Sequence, residues 1–380
     1  MFDQTGLKEQ IRARAHQIGF DLVGITGPDA PPHFDIYQRW IQAGRHAGMA
    51  YLARERALQR RADPRLILPA CRSIIVTGTL YDPPYPDEVG EARVAAYARG
   101  DDYHHVIAGR MQALVEEIEA ALGHPIKHRI YTDTGPLLER ELAMRAGLGW
   151  IGKNTCLIHP QHGSYLLLAE LLTDLELPAD PPFASDRCGT CSRCIEACPT
   201  GCILPDRTLD AGRCISYLTI EEKGAAPEPL RHQLQDWLFG CDICQEVCPW
   251  NQRFARPVGD PAFEPRALLE SPRLEAFLRL EPGSWRDSLR GSPLERPRRR
   301  GLVRNAALVA GNTARADLLS ILERILLEDP EPILREQAAW SIARIAGSGA
   351  GDLLQSALAR EENEAVRLGI LRALKRAAQA

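Results

Sequence analysis

The sequence predicts a mixed α+β chain in three parts: an α/β domain over residues 1–180, a cysteine-rich domain over 181–255 and a helical repeat domain over 256–380. Three observations predict it. Helical and strand-like patterns alternate in the first part, cysteines crowd the second, and a helical pattern repeats in the third. A length of 380 residues accommodates this division, and 45% hydrophobic with 25% charged residues is ordinary for a globular chain.

In the first part "LKEQIRARAHQIGF" has the spacing of an amphipathic helix and "DLVGIT" that of a strand. "SIIVTGTLY" is rich in β-branched residues, "VIAGRMQALVEEIEAAL" carries an apolar helical stripe, and "PIKHRIY" reads as a further strand. Such alternation packs helices on a sheet. No GxGxxG or P-loop pattern occurs, which excludes the common nucleotide-binding turns. The most apolar stretch, "YLLLAELLTDLEL", is short and contains Glu170 and Asp174, so no membrane span is expected. The opening residues lack the apolar core of a secretory leader, and a cytoplasmic setting follows as the expectation. The net charge of −4 gives no global attraction to nucleic acid; an RNA-binding surface would have to be a local patch.

"LPADPPFASDR" reads as a linker into the cysteine-rich part. There "CGTCSRCIEACPTGC" packs five of the eleven cysteines into one run. A disulfide knot, a zinc site and an iron–sulfur mount compete for it. A reducing compartment and a long, core-rich chain argue against disulfides. Zinc needs four ligands, commonly on two separated knuckles, and explains neither the close third cysteine nor the prolines after Cys198 and Cys248. The first run spaces as C-x2-C-x2-C-x3-C-P, the pattern of two-cluster bacterial ferredoxins, whose fourth cysteine serves the other cluster. The second, Cys241, Cys244, Cys248 and Pro249, is a shortened copy. The ligand count then closes at two [4Fe–4S] clusters. Cys188, Cys191, Cys194 and Cys248 hold the first; Cys198, Cys241, Cys244 and, by elimination, Cys214 hold the second. Cys71, Cys156 and Cys202 remain, and each reads as a small apolar core residue. Two clusters form a wire, so another group must do the bond chemistry.

The last part repeats itself. "LVRNAALVAGN", "ILREQAAWSIARIAG" and "AVRLGILRALKRAA" align on Arg304, Arg335 and Arg367 with an apolar stripe in each. Stacked helix pairs of this kind resemble short HEAT-like repeats, which commonly form binding surfaces; a plain helical bundle is the alternative. "LERPRRRGLVR" places Arg296, Arg298, Arg299 and Arg300 just before the first unit. The run is either a solvated face or a phosphate-binding patch.

Motifs outside the cysteines carry a family resemblance: "GMAYLARE" (48–55), "YARGDDYH" (97–104), "TDTGPLLERELAMRAGLGWIGKNT" (132–155), "RCISYLTIE" (213–221) and "GCDICQEVCPWN" (240–251). With the cysteine spacing, they make the chain resemble the epoxyqueuosine reductases, which act at the last step of queuosine synthesis in tRNA. The resemblance implies cobalamin, as base-off cob(II)alamin, held between an α/β domain similar to flavin nitroreductases and a ferredoxin-like module. The DxHxxG box that supplies a cobalt-ligating histidine is absent; "DYHHVI" has Ile107 where the glycine would stand. The family implies a general acid at Asp133, whose carboxyl would need a raised pKa to stay protonated near a corrin. From the residues alone the favoured reading of Asp133 is the cap of the helix near "PLLEREL"; the resemblance turns it toward the acid.

Further roles follow motif by motif from the resemblance. Arg54, Asp133, Leu157, Leu168, Ser216, Cys241 and Asp242 would contact the cofactor, and Lys223, Arg298, Arg299 and Arg300 the tRNA. Electrons would come from an external flavodoxin- or ferredoxin-type donor, and the protein would act as a monomer. The implied reaction is reduction of epoxyqueuosine to queuosine at the wobble position with loss of water. A cobalamin reductive dehalogenase and a plain electron-transfer protein are the competing expectations. The arginine run and repeat tail speak against the first, and the long α/β part against the second.

Overall fold

The computed structural model describes residues 4–84 and 91–379. The chain divides into two compact units, and both are discontinuous in sequence. The first comprises Met1–Pro83, Asp101–Gly212 and Ile243–Glu264; the second Pro84–Gly100, Arg213–Asp242 and Pro265–Ala380. This differs from a serial order of three parts. Residues 213–242 pack with the repeats because the repeats supply polar side chains for their backbone, as shown below.

The first unit is built on a four-stranded antiparallel sheet. Its strands are β1 (Leu22–Thr26), β2 (Ser73–Leu80), β3 (His128–Tyr131) and β4 (Leu166–Thr173), in the order β1-β2-β4-β3. β2 is buried along its whole length and β4 along most of it, in keeping with their largely apolar sequences. Three of its helices position the site: α1 (Gln4–Ile18), α2 (Tyr103–Leu122) and α3 (Glu139–Arg145). α2 has clear stop signals. Asp102 caps its start by accepting from the His104 N–H at 3.0 Å, and Gly123 ends it at φ 72°. Ile107, Met111, Leu114, Val115 and Ile118 form its buried stripe.

α3 lies on the other apolar cluster of this unit, where Leu137, Leu142, Ala143 and Ala146 meet Val76, Leu168 and Leu172 of the sheet. The proline-rich segment after β4 is pinned. Asp180 accepts from Lys8 at 2.7 Å, Arg12 at 2.5 Å and the Ile25 N–H at 2.8 Å.

In the second unit Arg93–Val94 pairs in parallel with Trp237–Phe239. Against this pair stands α4 (Arg298–Asn312), followed by α5 (Leu319–Glu328), α6 (Pro332–Ala346), α7 (Gly351–Arg360) and α8 (Glu364–Ala377). One apolar core runs through all of them, from Leu238 and Phe277 to Ile370 and Ala373. Gly369 lets α8 close on α6: a Cβ there would sit 2.3 Å from Glu336 Cγ.

The arginines on which the repeats align have local tasks. Arg304 is 2% exposed and donates to the carbonyls of Leu218 and Glu222 at 2.8 and 2.7 Å, and to that of Gly224. Asn305 donates to the Thr219 and Leu238 carbonyls, both at 2.8 Å. α4 thereby satisfies backbone that would otherwise be orphaned. Arg335 forms a forked pair with Glu361 at 2.7 and 2.8 Å. No helix among the described residues is long and apolar enough to cross a membrane.

Candidate functional site

Asp133 stands just beyond β3 with a left-handed backbone, φ 57°. Its N–H donates to Glu139 Oε1 at 2.6 Å, the first residue of α3. Its carboxylate Oδ2 accepts from the Tyr103 hydroxyl at 2.9 Å and lies 3.4 Å from His104 Nε2. His104 Nδ1 is in turn 2.6 Å from Asp102 Oδ1. Tyr103 and His104 open α2, so the Asp102 cap that starts this helix also orients the imidazole.

The electrostatics follow from these contacts. Burial pushes the His104 imidazolium pKa down, but hydrogen bonds and charge from Asp102 and Asp133 outweigh it and carry it up to about 9. Desolvation is the largest single influence on Asp133 and pushes it up, but it does not decide the direction. The hydrogen bonds from His104 and Tyr103, with the charges of His104 and Arg140, hold it below the ordinary carboxylate range. Two donors and a cation thus stabilise the charged form of Asp133 in the protein itself, and a bound corrin would have to work against them to raise its pKa. The helix-cap reading fails. α3 has Leu138 at its N-cap with no side-chain bond, and Asp133 is the donor to Glu139.

Two carboxyls behind Asp133 go the other way. Glu139 is pushed up by burial and then by the Asp133 charge. Glu170, in β4 between Val76 and Tyr131, is 0% exposed, and neither oxygen has a hydrogen-bond partner among the described residues. Burial, then the charges of Glu139 and Asp133, raise it well above the usual range, and it is held as the neutral acid. The sequence reading gave no role to Tyr103, Glu139 or Glu170. The signal for Glu170 was a lone charge inside an apolar strand.

The other expected cofactor contacts divide. Arg54 is exposed and has no carboxylate partner among the described residues. Leu157 and Leu168, 3% and 9% exposed, belong to the apolar core, and this packing is the role the structure gives them. Ser216 and Cys241 are half-buried in the second unit. Asp242 is 1% exposed and its Oδ2 accepts from the Ala96 N–H at 2.7 Å, which makes it a backbone anchor rather than a surface ligand.

Among the described residues no disulfide joins any of the eleven cysteines. Cys188, Cys191, Cys194 and Cys248 belong to the first unit. They lie close enough that burial and then Cys188, Cys248 and Cys191 push the Cys194 thiol up. A shared positive centre would relieve that repulsion, so the four thiols fit a cluster. Lys153 Nζ donates to the carbonyls of Gly189 and Cys191 at 2.7 and 2.9 Å, which fixes the loop between the first two. Among the described residues no three His, Cys, Asp or Glu side chains converge as one metal ion would demand; a cube of iron and sulfide spreads its thiolates wider. Of the second quartet, Cys198 and Cys244 lie in the first unit, Cys214 and Cys241 in the second. Cys202 is more than filler. Its sulfur is 3.4 Å from Cys198 Sγ, and this contact, against burial and helped by Thr200, lowers the Cys198 thiol to about 5.

The expected RNA contacts also divide. Lys223 is lowered by burial, opposed by Glu221, and lowered further by Arg296, Arg298 and Arg300, which marks these cations as neighbours. Arg299 does not join them. It donates to the Leu280 carbonyl at 2.6 Å and forms a buried ion pair with Asp329. Its assignment to RNA is corrected to a structural one.

A family model described as epoxyqueuosine reductase QueG, DUF1730, matches residues 61–134. The epoxyqueuosine reductase of Pseudomonas aeruginosa is 38% identical over 353 residues, covering 90% of this chain and 95% of that protein. The chain belongs to the epoxyqueuosine reductase family. The Xanthomonas campestris epoxyqueuosine reductase is likewise 38% identical, over 90% of this chain and 97% of its own. A crystal structure of an epoxyqueuosine reductase with an epoxyqueuosine-modified tRNA-Tyr stem loop superposes with a TM-score of 0.91, at 30% identity and 99% coverage of both chains. The Bacillus subtilis epoxyqueuosine reductase, with its catalytic aspartate loop swung out of the active site, gives 0.90 at 30% identity, covering 98% and 99%. Residues 187–251 match a 4Fe–4S double cluster binding domain and residues 299–375 match HEAT repeats. In this epoxyqueuosine reductase family member, the ferredoxin-type cysteine spacing and the helical repeats are thus both accounted for.

Proposed function

We infer that this protein reduces epoxyqueuosine to queuosine in tRNA. The epoxide takes up two electrons and two protons; both carbon–oxygen bonds break, the alkene forms, and the oxygen leaves as water. The observation that carries the reading is the Asp102–His104–Asp133 relay with Tyr103, a proton-holding cluster on a chain that also bears two cluster-type cysteine quartets.

The residues divide the proton work. His104, positively charged in neutral solution, holds a proton 3.4 Å from Asp133 Oδ2. Asp133 passes it to the departing oxygen and is recharged by His104, whose own charge Asp102 supports. Tyr103 orients the carboxylate. Glu139 fixes the backbone of Asp133.

Cobalamin, when bound, would supply the reducing electrons for the epoxide. Arg54, exposed and without a carboxylate partner, suits an amide or phosphate of such a cofactor; Ser216 and Cys241 are further contacts of the proposal. The two cysteine quartets would hold [4Fe–4S] clusters, which would supply electrons from an external flavodoxin- or ferredoxin-type donor. Lys223, Arg298 and Arg300 meet tRNA phosphates. The protein works as a monomer in the cytoplasm.

Nucleoside analysis of tRNA from cells lacking this gene tests the reading. Epoxyqueuosine accumulates and queuosine disappears. Unchanged queuosine in a strain with no second enzyme for the step would overturn it.

A further inference from the structure

We propose that the arginine-rimmed aromatic surface around Cys188, Cys191, Cys194 and Cys248 is the docking site of an acidic electron-carrier protein. The proposal rests on the reading that this quartet holds a [4Fe–4S] cluster, and it places the entry of electrons there.

An aromatic ladder runs beside the quartet. Phe183 stacks on Trp150 at 5.6 Å, Trp150 meets Trp250 edge-on at 4.8 Å, and Trp250 stacks on Phe254 at 5.5 Å. Cys188 and Cys248 pack into the same cluster. Trp150 is buried, whereas Phe183, Trp250 and Phe254 reach the surface. Arginines stand on it. Arg187 Cζ lies 5.2 Å from the Phe183 ring and 5.9 Å from Trp250, and Arg253 lies 5.0 Å from Phe254. Arg193 reaches Gln252 at 3.4 Å, and Arg256 bonds the Ala255 and Arg253 carbonyls at 2.6 and 2.9 Å.

Arg187, Arg193, Arg253 and Arg256 are exposed, and none has a carboxylate partner among the described residues. Lys153 adds a fifth cation on the loop of the quartet. The acidic groups close by are Asp186, Glu196 and Glu246, fewer than the five cations. Asp186 is paired with Arg207 and accepts from the Cys188 N–H, and Glu196 accepts from Ser192. This positive field sits on a chain whose net charge is −4.

Such a rim serves a transient redox encounter, which needs fast, oriented association more than large buried area. It suits a protein better than RNA. Guanidinium groups already lie over the ring faces that unpaired bases would stack on.

The test uses the cluster-loaded protein and a flavodoxin of strongly negative net charge, with affinity measured by calorimetry across a salt series. In the unaltered protein affinity falls steeply with salt. The triple variant Arg187→Gln, Arg193→Gln, Arg253→Gln binds the flavodoxin about tenfold or more weakly, with a flatter salt dependence. Its affinity for a tRNA stem loop and its visible cluster absorbance stay unchanged. The Lys triple at the same positions retains carrier binding. Carrier affinity unaffected by the Gln triple overturns the proposal. So does an equal loss of stem-loop affinity, which would make the surface an RNA interface. If the Gln triple loses its clusters, the unaltered protein decides: no binding, or binding insensitive to salt, overturns the proposal. Failure of the tRNA nucleoside test would remove the proposed substrate and leave these binding results standing.

Discussion

His104 Nε2 lies 3.4 Å from Asp133 Oδ2, and the two groups are displaced in opposite directions: the imidazole keeps its proton up to about pH 9 while the carboxyl stays ionised below its ordinary range. In neutral solution the transferable proton of this pair therefore resides on the histidine.

Turnover should fall as pH rises through about 9, because His104 gives up its proton there. His104→Gln should remove that limb of the profile and lower turnover about 10²- to 10⁴-fold. Asp133→Asn should lower it comparably while both clusters remain. A limb that persists in His104→Gln would assign the titration to another group.

Glu170 predicts a stability effect. Its folded-state pKa is raised, so the unfolded chain binds fewer protons at this site once pH exceeds the ordinary glutamate value. Its contribution is full below that value and declines as pH rises toward the folded pKa. Glu170→Gln cannot ionise. Denaturation of both proteins between about pH 5 and pH 8 should show the wild-type stability declining relative to the variant, by up to about 1.4 kcal/mol per pH unit. Parallel curves would mean that Glu170 is ionised in the folded protein.

Arg299 and its neighbours should separate stability from binding. Arg299→Ala strands Asp329, whose side chain is 5% exposed, and should cost about 3–5 kcal/mol. Arg298→Ala or Arg300→Ala should leave the melting temperature in place. Each should weaken stem-loop binding and reduce the salt slope by about one.

Cys202→Ala should retain the full iron content, because Cys202 is a neighbour of Cys198 rather than a ligand of the proposed set. Cys198→Ser should lose iron from the second cluster. Iron and sulfide analysis of anaerobically purified protein distinguishes the two.

The double-cluster cysteine spacing, the repeats and the helix α2 were legible because each is a local pattern: fixed spacing, repeated stripes, and an apolar stripe at helical period. β4 was not. Its mostly apolar run does not distinguish a buried strand from a buried helix, and only pairing with β2 and β3 decides. Glu170 was missed with it. Tyr103 and His104 stood in a quoted motif, but their partner Asp133 lies about thirty residues away, a contact that periodicity does not reveal. Arg298, Arg299 and Arg300 look alike as letters. Only helix geometry turns Arg299 inward to Asp329.

The backbone at Asp133 narrows what that position can be. At φ 57° most side chains crowd the main chain, and glycine, asparagine, aspartate and histidine are the residues that tolerate it best. Aspartate is the one anionic acid in that short alphabet. Exchange for glutamate, the nearest chemical relative, would thus change two things at once, lengthening the acid and setting it on a backbone it resists. Of the uncharged substitutes, asparagine isolates the chemistry, whereas alanine would mix a lost carboxyl with a displaced loop.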